Sequence, residues 1–483
     1  MRFKNIFVYS RIAVIILLIT SLGSCSATKP SNWYYPWSNQ INSMEAAADD
    51  EVIPALVNGQ NYRILKIANF SGSVFNGFSH TSSTSSVELF QLPVMQDHGG
   101  KTIVDLIMPV KKGEAFTDRN PDKYFLLKFK GLKPGTEKIN FTISSDKKTY
   151  SYSKSIKTLP SVYRPPVSLN VFAYFDYNFL VKDLKSKVID DLVKHNTDVL
   201  VIPPAVLPDL SKGKTDVTAL RSYLKGTENK FKYYILYFNF NDHQIDLRNA
   251  DLKKNIPLWH KNMMQVFEEQ KVPLENVLLF PYDEPKTEQI QKLSSLYDHC
   301  RSVGIKNPFF VTVDSPEAAK VFVNKIEFIQ MKPEFMKQVG NLNSKSRLWT
   351  YQLIYGSRDR QATEYRDMSI TAFRHQAKGI GVWSYADIDR AVDQKGKSEF
   401  SRGSGTWDID YSAGSAEYAL IYRRYNDLFS SLRWEALSYG MEDYFWLQLY
   451  QNKFGMDKVQ ELLKTVDRFS EKERDAFKLK LIN

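Results

Sequence analysis

The sequence has few of the residues and patterns that cross-linked, metal-dependent or phosphate-binding proteins require. Its 483 residues include only two cysteines, Cys25 and Cys300. The seven histidines show no ligand spacing such as His-Glu-x-x-His, and no glycine-rich phosphate loop occurs. We therefore expect no metal and no cofactor. One long apolar run, Ile12–Ile19, is too short for a permanent bilayer span.

The N-terminal segment has the pattern of a cleaved secretory signal. Three basic residues precede the apolar run, at Arg2, Lys4 and Arg11, and Leu-Gly-Ser-Cys follows at 22–25. This ending resembles a bacterial lipoprotein signal, in which the cysteine becomes the lipidated first residue. The resemblance implies removal of residues 1–24 and a lipid anchor on Cys25, and residues 25–49 are expected to form a tether. By resemblance to lipoprotein sorting patterns, Ser26 favours the outer membrane, so we expect an exported, membrane-anchored protein. The alternative is a simple signal with an incidental cysteine.

The positive charge does not by itself identify a partner. The formal net charge is +11, and removal of the three signal cations leaves +8. We predict no nucleic-acid partner, because no recognition motif is present and export argues against one. The charge instead favours acidic glycans or membrane surfaces. A lipidated Cys25 leaves Cys300 without a disulfide partner, and its helical face, shared with Ile290 and Leu293, predicts a core position.

Two changes of pattern divide the mature chain. Residues 50–160 contain short alternating segments broken by turns, which predicts an immunoglobulin-like β-sandwich. After the linker 161–166, strands alternate with helices over residues 161–430, and residues 431–483 are predicted to form a helical segment packed on them. Eight strands of this α/β part, which predict a (β/α)8 TIM barrel, are expected at 167–174, 199–202, 233–238, 277–280, 309–313, 327–331, 348–354 and 379–383.

Two adjacent carboxylates follow the fourth of these strands. Val277–Phe280 is an unbroken apolar run, and Tyr-Asp-Glu-Pro follows at 282–285. The carboxyl ends of barrel strands carry catalytic groups, so Asp283 and Glu284 are the candidate catalytic pair. Glycoside cleavage requires two carboxyl groups in different protonation states. The alternative is structural, because an acidic residue before proline also commonly begins a helix.

Several residues at the same end of the strands are candidates for substrate binding. Aromatic rings there can stack on sugar rings and donate hydroxyl hydrogen bonds, although plain packing inside the barrel is the alternative for them. The predicted substrate-binding residues are Tyr282, Asp314, Trp349, Tyr351, Trp383 and Tyr385.

With these residues in place, the sequence resembles glycoside hydrolase family 123 over residues 50 to about 449. The resemblance rests on the Asp-Glu pair and on Ser-Leu-Arg-Trp-Glu-Ala-Leu-Ser-Tyr-Gly-Met-Glu-Asp-Tyr at 431–444. It implies release of terminal β-linked N-acetylgalactosamine with retention, in which the acetamido group of the substrate is the nucleophile. It also implies that Asp283 orients and polarises the acetamide and that Glu284 is the general acid and then the general base.

Two other functions remain open at this point. The chain departs from the family pattern at Tyr-Arg-Arg, 422–424, and has a long polar segment at 387–417, so the same barrel could cleave another glycoside. The second alternative is a glycan-binding lipoprotein without turnover. A carbohydrate is the expected partner in all three cases.

Overall fold

The computed structural model describes most of the chain. The described residues are 32–96, 101–116, 120–172, 182–210, 213, 215–238, 247, 249–339, 345–353, 360–385, 419–424, 427–465 and 470–482. Within them no helix is long and apolar enough to cross a bilayer. The predictions for Cys25 and for the segment 387–417 lie outside these residues.

The N-terminal part is a β-sheet domain with two hydrogen-bonded ladders. The strands are β1 Trp33–Tyr34, β2 Ala46–Ala47, β3 Val52–Val57, β4 Gln60–Ile67, β5 Phe75–Thr81, β6 Ser85–Leu92, β7 Val94–Gln96, β8 Thr102–Val104, β9 Met108–Pro109, β10 Lys123–Gly131, β11 Gly135–Ser145 and β12 Thr149–Val162. One ladder runs β2-β1-β4-β10-β6-β9 and the other β3-β12-β11-β5; they meet where Gly131 pairs with Val57. Strands β7 and β8 pair with each other as a separate hairpin.

The β4–β10 pair has a buried apolar layer on each of its two faces. Successive side chains of a strand point to opposite faces, so each strand contributes to both layers. Leu65 and Phe125 pack into a core that also contains side chains of β3, β11 and β12. Tyr62, Ile64 and Leu126 point the other way and join the apolar cluster of the α/β part. The immunoglobulin-like type of this domain stays a prediction.

The predicted tether over 25–49 is wrong for its described residues, 32–49. Trp33 and Tyr34 form β1, which pairs with β4, and Trp37 stacks on Tyr439 with ring centroids 5.1 Å apart. The carboxylate of Glu45 accepts hydrogen bonds from the backbone N–H groups of Glu471 and Lys472. The aromatic side chains decide this outcome, because they are buried in the fold and their burial outweighs the entropy of a free linker.

The α/β part alternates strands and helices as predicted, with most boundaries within one or two residues. Its elements are β13 Ser168–Val171, α1 Lys182–Lys194, β14 Val199–Ile202, α2 Thr218–Leu224, β15 Tyr233–Tyr237, α3 Ala250–Glu269, β16 Val277–Phe280, α4 Thr287–Ser302, β17 Phe310–Val313, α5 Pro316–Phe322, β18 Phe328–Met331, α6 Pro333–Val339, β19 Arg347–Leu353, α7 Ala362–Arg374 and β20 Gly379–Trp383.

These eight parallel strands pair as two sheets, β13-β20-β19-β18-β17 and β14-β15-β16. A single bridge, Leu279 to Phe309, joins them on one side. On the other side the Asp198 carboxylate accepts hydrogen bonds from the backbone N–H of Leu169 and the hydroxyl of Ser168. Side chains from both sheets share one apolar cluster, but a continuous closed barrel is not confirmed by the pairing of the described residues.

The C-terminal part consists of a small hairpin and three helices. They are β21 Tyr422–Arg424, β22 Asp427–Phe429, α8 Leu432–Phe454, α9 Met456–Leu463 and α10 Glu471–Ile482. Helix α8 is buried on all sides from Leu432 to Tyr444, and it packs along α7. It therefore lies between the β-sheet domain and the α/β part.

Candidate active site

The Asp283–Glu284 pair lies just beyond β16 and does not cap the following helix. Helix α4 begins at Thr287, and its N-cap residue is Lys286, whose backbone N–H donates to the side chain of Gln289. Pro285 therefore lies before the helix, and the two carboxyl groups have other partners. This geometry argues against the helix-start alternative.

Thr312 on the neighbouring strand β17 contacts both members of the pair. Its hydroxyl donates a hydrogen bond to Oδ1 of Asp283, and the backbone N–H of Glu284 donates to the same hydroxyl oxygen over 3.0 Å. Glu284 has a φ of 44°, in the left-handed region that non-glycine residues seldom adopt. One hydroxyl thus holds the carboxyl of one residue and the backbone of the next.

Tyr351 on β19 binds the second carboxyl group. Its hydroxyl donates to Oε1 of Glu284. Burial, together with the charge of Glu284, holds the pKa of Tyr351 above its usual range, so the phenol stays protonated and remains a donor. Oε2 is consequently the oxygen of Glu284 left to exchange a proton with another group.

The environment of Asp283 favours its neutral form more than water does. Burial raises the pKa of Asp283 to about 6; the Thr312 hydroxyl opposes this increase, and the negative charges of Glu284 and Asp314 add to it. Asp283 is therefore mostly ionised at pH 7 and becomes protonated in mildly acidic solution.

An ion pair lies beside the two carboxyl groups. Asp314 follows β17 and forms an ion pair with Lys286, the residue that precedes α4. Lys286 is largely exposed whereas Asp314 is partly covered. The ion pair links the start of α4 to the end of β17, and Tyr351 contacts Glu284, so the structure brings Asp314, Tyr351 and the catalytic candidates together.

The other predicted aromatic residues are less well placed to bind a sugar. Trp349 is 1% exposed and packs between Tyr233, Phe310 and Phe328 inside the strands. Tyr385 is 0% exposed and donates its hydroxyl to Asp191. A ring without an accessible face cannot stack on a sugar ring. For Trp349 and Tyr385 the structure therefore favours packing in the interior over substrate binding.

Tyr282 and Trp383 differ from each other. Tyr282 is buried in the large apolar cluster that also contains Val277 and Leu293. Trp383 is only partly buried at the carboxyl end of β20, with its ring centroid 5.8 Å from that of Phe172. Of these two residues, Trp383 keeps surface that a substrate could contact.

The second motif, residues 431–444, occupies a buried interface rather than the candidate site. Arg433 on α8 forms an ion pair with Asp105 of the β-sheet domain over 2.9 Å, and both side chains are fully buried. Asp443 pairs with Arg366 on α7 and with Lys478 on α10. The motif therefore joins parts of the chain that are far apart in sequence.

Sequence reasoning missed Thr312 as a functional candidate. The available signal was weak: a single hydroxyl in the apolar strand Phe-Val-Thr-Val, two residues before Asp314. Cys300 is buried, and burial raises the pKa of its thiol to about 12, which leaves it protonated at neutral pH. Among the described residues, no group of three or more acidic, histidine or cysteine side chains is arranged to hold a metal ion.

The fold is a β-sheet domain followed by a parallel α/β part, and it has a counterpart among solved structures. It matches a family 123 glycoside hydrolase from Clostridium perfringens whose structure was used to study glycolipid glycan hydrolysis. The TM-score is 0.61 and the sequence identity 12%, and the match covers 94% of this chain and 96% of that chain. At this identity the similarity establishes the fold alone.

Other comparisons add little. A GH2 β-galacturonidase from Eisenbergiella tayi matches with a TM-score of 0.37 and 9% identity over 86% of this chain and 73% of that one. A β-glucuronidase from Bacteroides uniformis matches with a TM-score of 0.32 and 9% identity, covering 69% and 45%. Both scores are too low to support an argument. No protein family profile and no curated protein matches the chain.

Proposed function

We propose that this protein is a retaining glycoside hydrolase that releases terminal β-linked N-acetylgalactosamine from glycans or glycolipids. The observation that carries the proposal is the pair Asp283–Glu284, held at the carboxyl end of β16 by different hydroxyl partners, Thr312 and Tyr351. The shared fold with a family 123 enzyme supports it. We further propose that the eight parallel strands function as a (β/α)8 barrel with the site at its mouth.

In the proposed mechanism the acetamido oxygen of the substrate attacks the anomeric carbon, and no protein nucleophile is required. Glu284 gives the proton on Oε2 to the departing glycosidic oxygen, while Tyr351 occupies Oε1. Asp283, ionised above about pH 6, accepts a hydrogen bond from the acetamide N–H and stabilises the positive charge of the oxazolinium ion. Water then attacks the anomeric carbon and gives a proton to Glu284, the general base, while the bond from that carbon to the acetamido oxygen breaks and restores the acetamide.

A cyclised-intermediate mimic tests this mechanism. A thiazoline derivative of N-acetylgalactosamine should inhibit at least about a hundredfold more tightly than the free sugar, because the site stabilises the cyclised form. The measurement is competitive inhibition of a chromogenic β-N-acetylgalactosaminide by the chain that begins at Ser26. Equal affinity for both compounds would contradict the mechanism, and so would a covalent glycosyl ester on either carboxylate. A parallel screen of other chromogenic glycosides shows whether the protein prefers β-N-acetylgalactosaminides or cleaves a different glycoside.

A further inference from the structure

Building on the proposed function, we infer that Thr312 is a positioning residue that holds the Asp283 carboxyl and the Glu284 backbone in one fixed arrangement. The side chain is 3% exposed and lies on β17, where Thr312 pairs with Gln330 of β18. Because the hydroxyl is buried, water does not readily take the place of either hydrogen bond.

The hydrogen-bond geometry leaves Thr312 one choice of orientation. A threonine hydroxyl carries one proton and two lone pairs. The backbone N–H of Glu284 can only donate, so Thr312 must accept there. The single hydroxyl proton is then directed to Oδ1 of Asp283. A proton bound by Asp283 is consequently directed to Oδ2, and the carboxylate keeps one orientation in both protonation states.

The residues next to Thr312 are held by close contacts. The left-handed backbone of Glu284 costs free energy, and the hydrogen bond to Thr312 is one contact that compensates for it. Gln330, the strand partner of Thr312, is fully buried against Gly381 of β20, where a Cβ atom would lie 2.1 Å from its Oε1. A displaced β17 would therefore disturb β18, its partner in the sheet, as well as the carboxylates.

Loss of the hydroxyl should change the protonation of Asp283 in a defined direction. The donated hydrogen bond favours the charged form and lowers the pKa of Asp283, as does the charge of Lys286, whereas burial and the negative charges of Glu284 and Asp314 raise it. Without the donor, Asp283 should hold its proton to higher pH. The acid limb of the activity profile should then move toward neutral pH.

The experiment compares Thr312→Val, which keeps the shape of the side chain, with Thr312→Ser, which keeps the hydroxyl. For each protein, kcat/KM is measured from pH 4.5 to 8.5 on an aryl β-N-acetylgalactosaminide. Thr312→Val should move the acid midpoint upward by about one pH unit and lower kcat/KM at pH 6 by about tenfold. Thr312→Ser should stay near wild type. An unchanged midpoint in Thr312→Val, or an equal loss in both variants, would overturn the inference.

A second measurement does not depend on activity. The unfolding free energy of the wild type minus that of Asp283→Asn is followed against pH, and the same difference is taken in the Thr312→Val background. Because asparagine does not titrate, each difference reports Asp283. It falls as the pH rises and levels off at the folded-state pKa, so it should level off about one pH unit higher without the hydroxyl. Levelling off at the same pH in both backgrounds would refute the role of Thr312. If no glycoside is cleaved, the proposed function fails, but the stability comparison still tests whether Thr312 controls the pKa of Asp283. If Thr312→Val does not fold, Thr312→Cys, a weak donor, replaces it.

Discussion

Asp283 and Glu284 are adjacent in the chain, but their carboxyl groups have different partners and are assigned different roles. General acid catalysis contributes about a hundredfold to ten-thousandfold, and it matters most when the leaving oxygen is basic. Glu284→Ala should therefore nearly abolish cleavage of natural glycans while it spares much of the first step on an aryl glycoside with an acidic phenol. Asp283→Asn weakens stabilisation of the oxazolinium ion, so it should slow both substrates by similar factors.

The measurement is kcat/KM for one aryl and one oligosaccharide substrate on each variant. Tyr351→Phe provides a related control, because it removes the donor to Oε1 of Glu284 and keeps the ring. The same dependence on the leaving group in both carboxylate variants would show that the assignment of the acid to Glu284 is wrong. Full activity in both would show that the pair is not catalytic.

The raised pKa of Asp283 predicts how stability varies with pH. The folded-state value is about 6, whereas an unperturbed aspartate has a pKa of about 3.9. The folded state therefore binds more protons, and this contribution to stability is complete below about pH 4 and is lost as the pH rises through 6. Asp283→Asn should be more stable than wild type at pH 7 by roughly 3 kcal/mol, with the advantage disappearing near pH 4. Denaturant unfolding at both pH values checks this, and an advantage that does not vary with pH would contradict it.

At the scale of the elements, the contact between α7 and α8 depends on a glycine. A Cβ atom at Gly440 would lie 2.4 Å from the carbonyl oxygen of Arg366 and 2.6 Å from Oγ of Ser369. Gly440→Ala should therefore force the helices apart and destabilise the protein by about 1–3 kcal/mol. Gly77→Ala is the matched control, because a Cβ atom there meets nothing within 4 Å. Thermal unfolding of the two variants measures the effect, and equal melting temperatures would refute the close contact.

Buried charges on α8 and α10 connect the parts of the whole molecule. The ion pairs Asp105–Arg433 and Arg63–Asp475 each join the β-sheet domain to a C-terminal helix. Removing one partner of such a pair leaves an unpaired buried charge, which is more costly than the intact pair is stabilising. We infer that the β-sheet domain and the C-terminal helices unfold together rather than independently.

The proposed lipid anchor also concerns the whole molecule, and it stays a prediction. Cys25 precedes all elements of the described fold, so Cys25→Ser should release the protein from the membrane fraction without changing its melting temperature. Fractionation of cells that express each form, with Cys300→Ser as the control substitution, measures the release. Retention of Cys25→Ser in the membrane fraction would rule out the anchor.

Local sequence determined the strands and the position of the carboxylate pair. The apolar runs at Val199–Ile202 and Val277–Phe280 and the strand Gly379–Trp383 were predicted with their boundaries, because burial on both faces leaves a continuous apolar signal. Asp283 and Glu284 come shortly after the end of such a run, so the run also predicts their position at the end of a strand.

The tertiary structure alone decided which side chains meet. Thr312 reaches Asp283 across 29 residues, and Tyr385 reaches Asp191 across 194. Periodicity shows that a residue faces inward, but what covers it there depends on how distant strands and helices pack, which a local pattern does not contain.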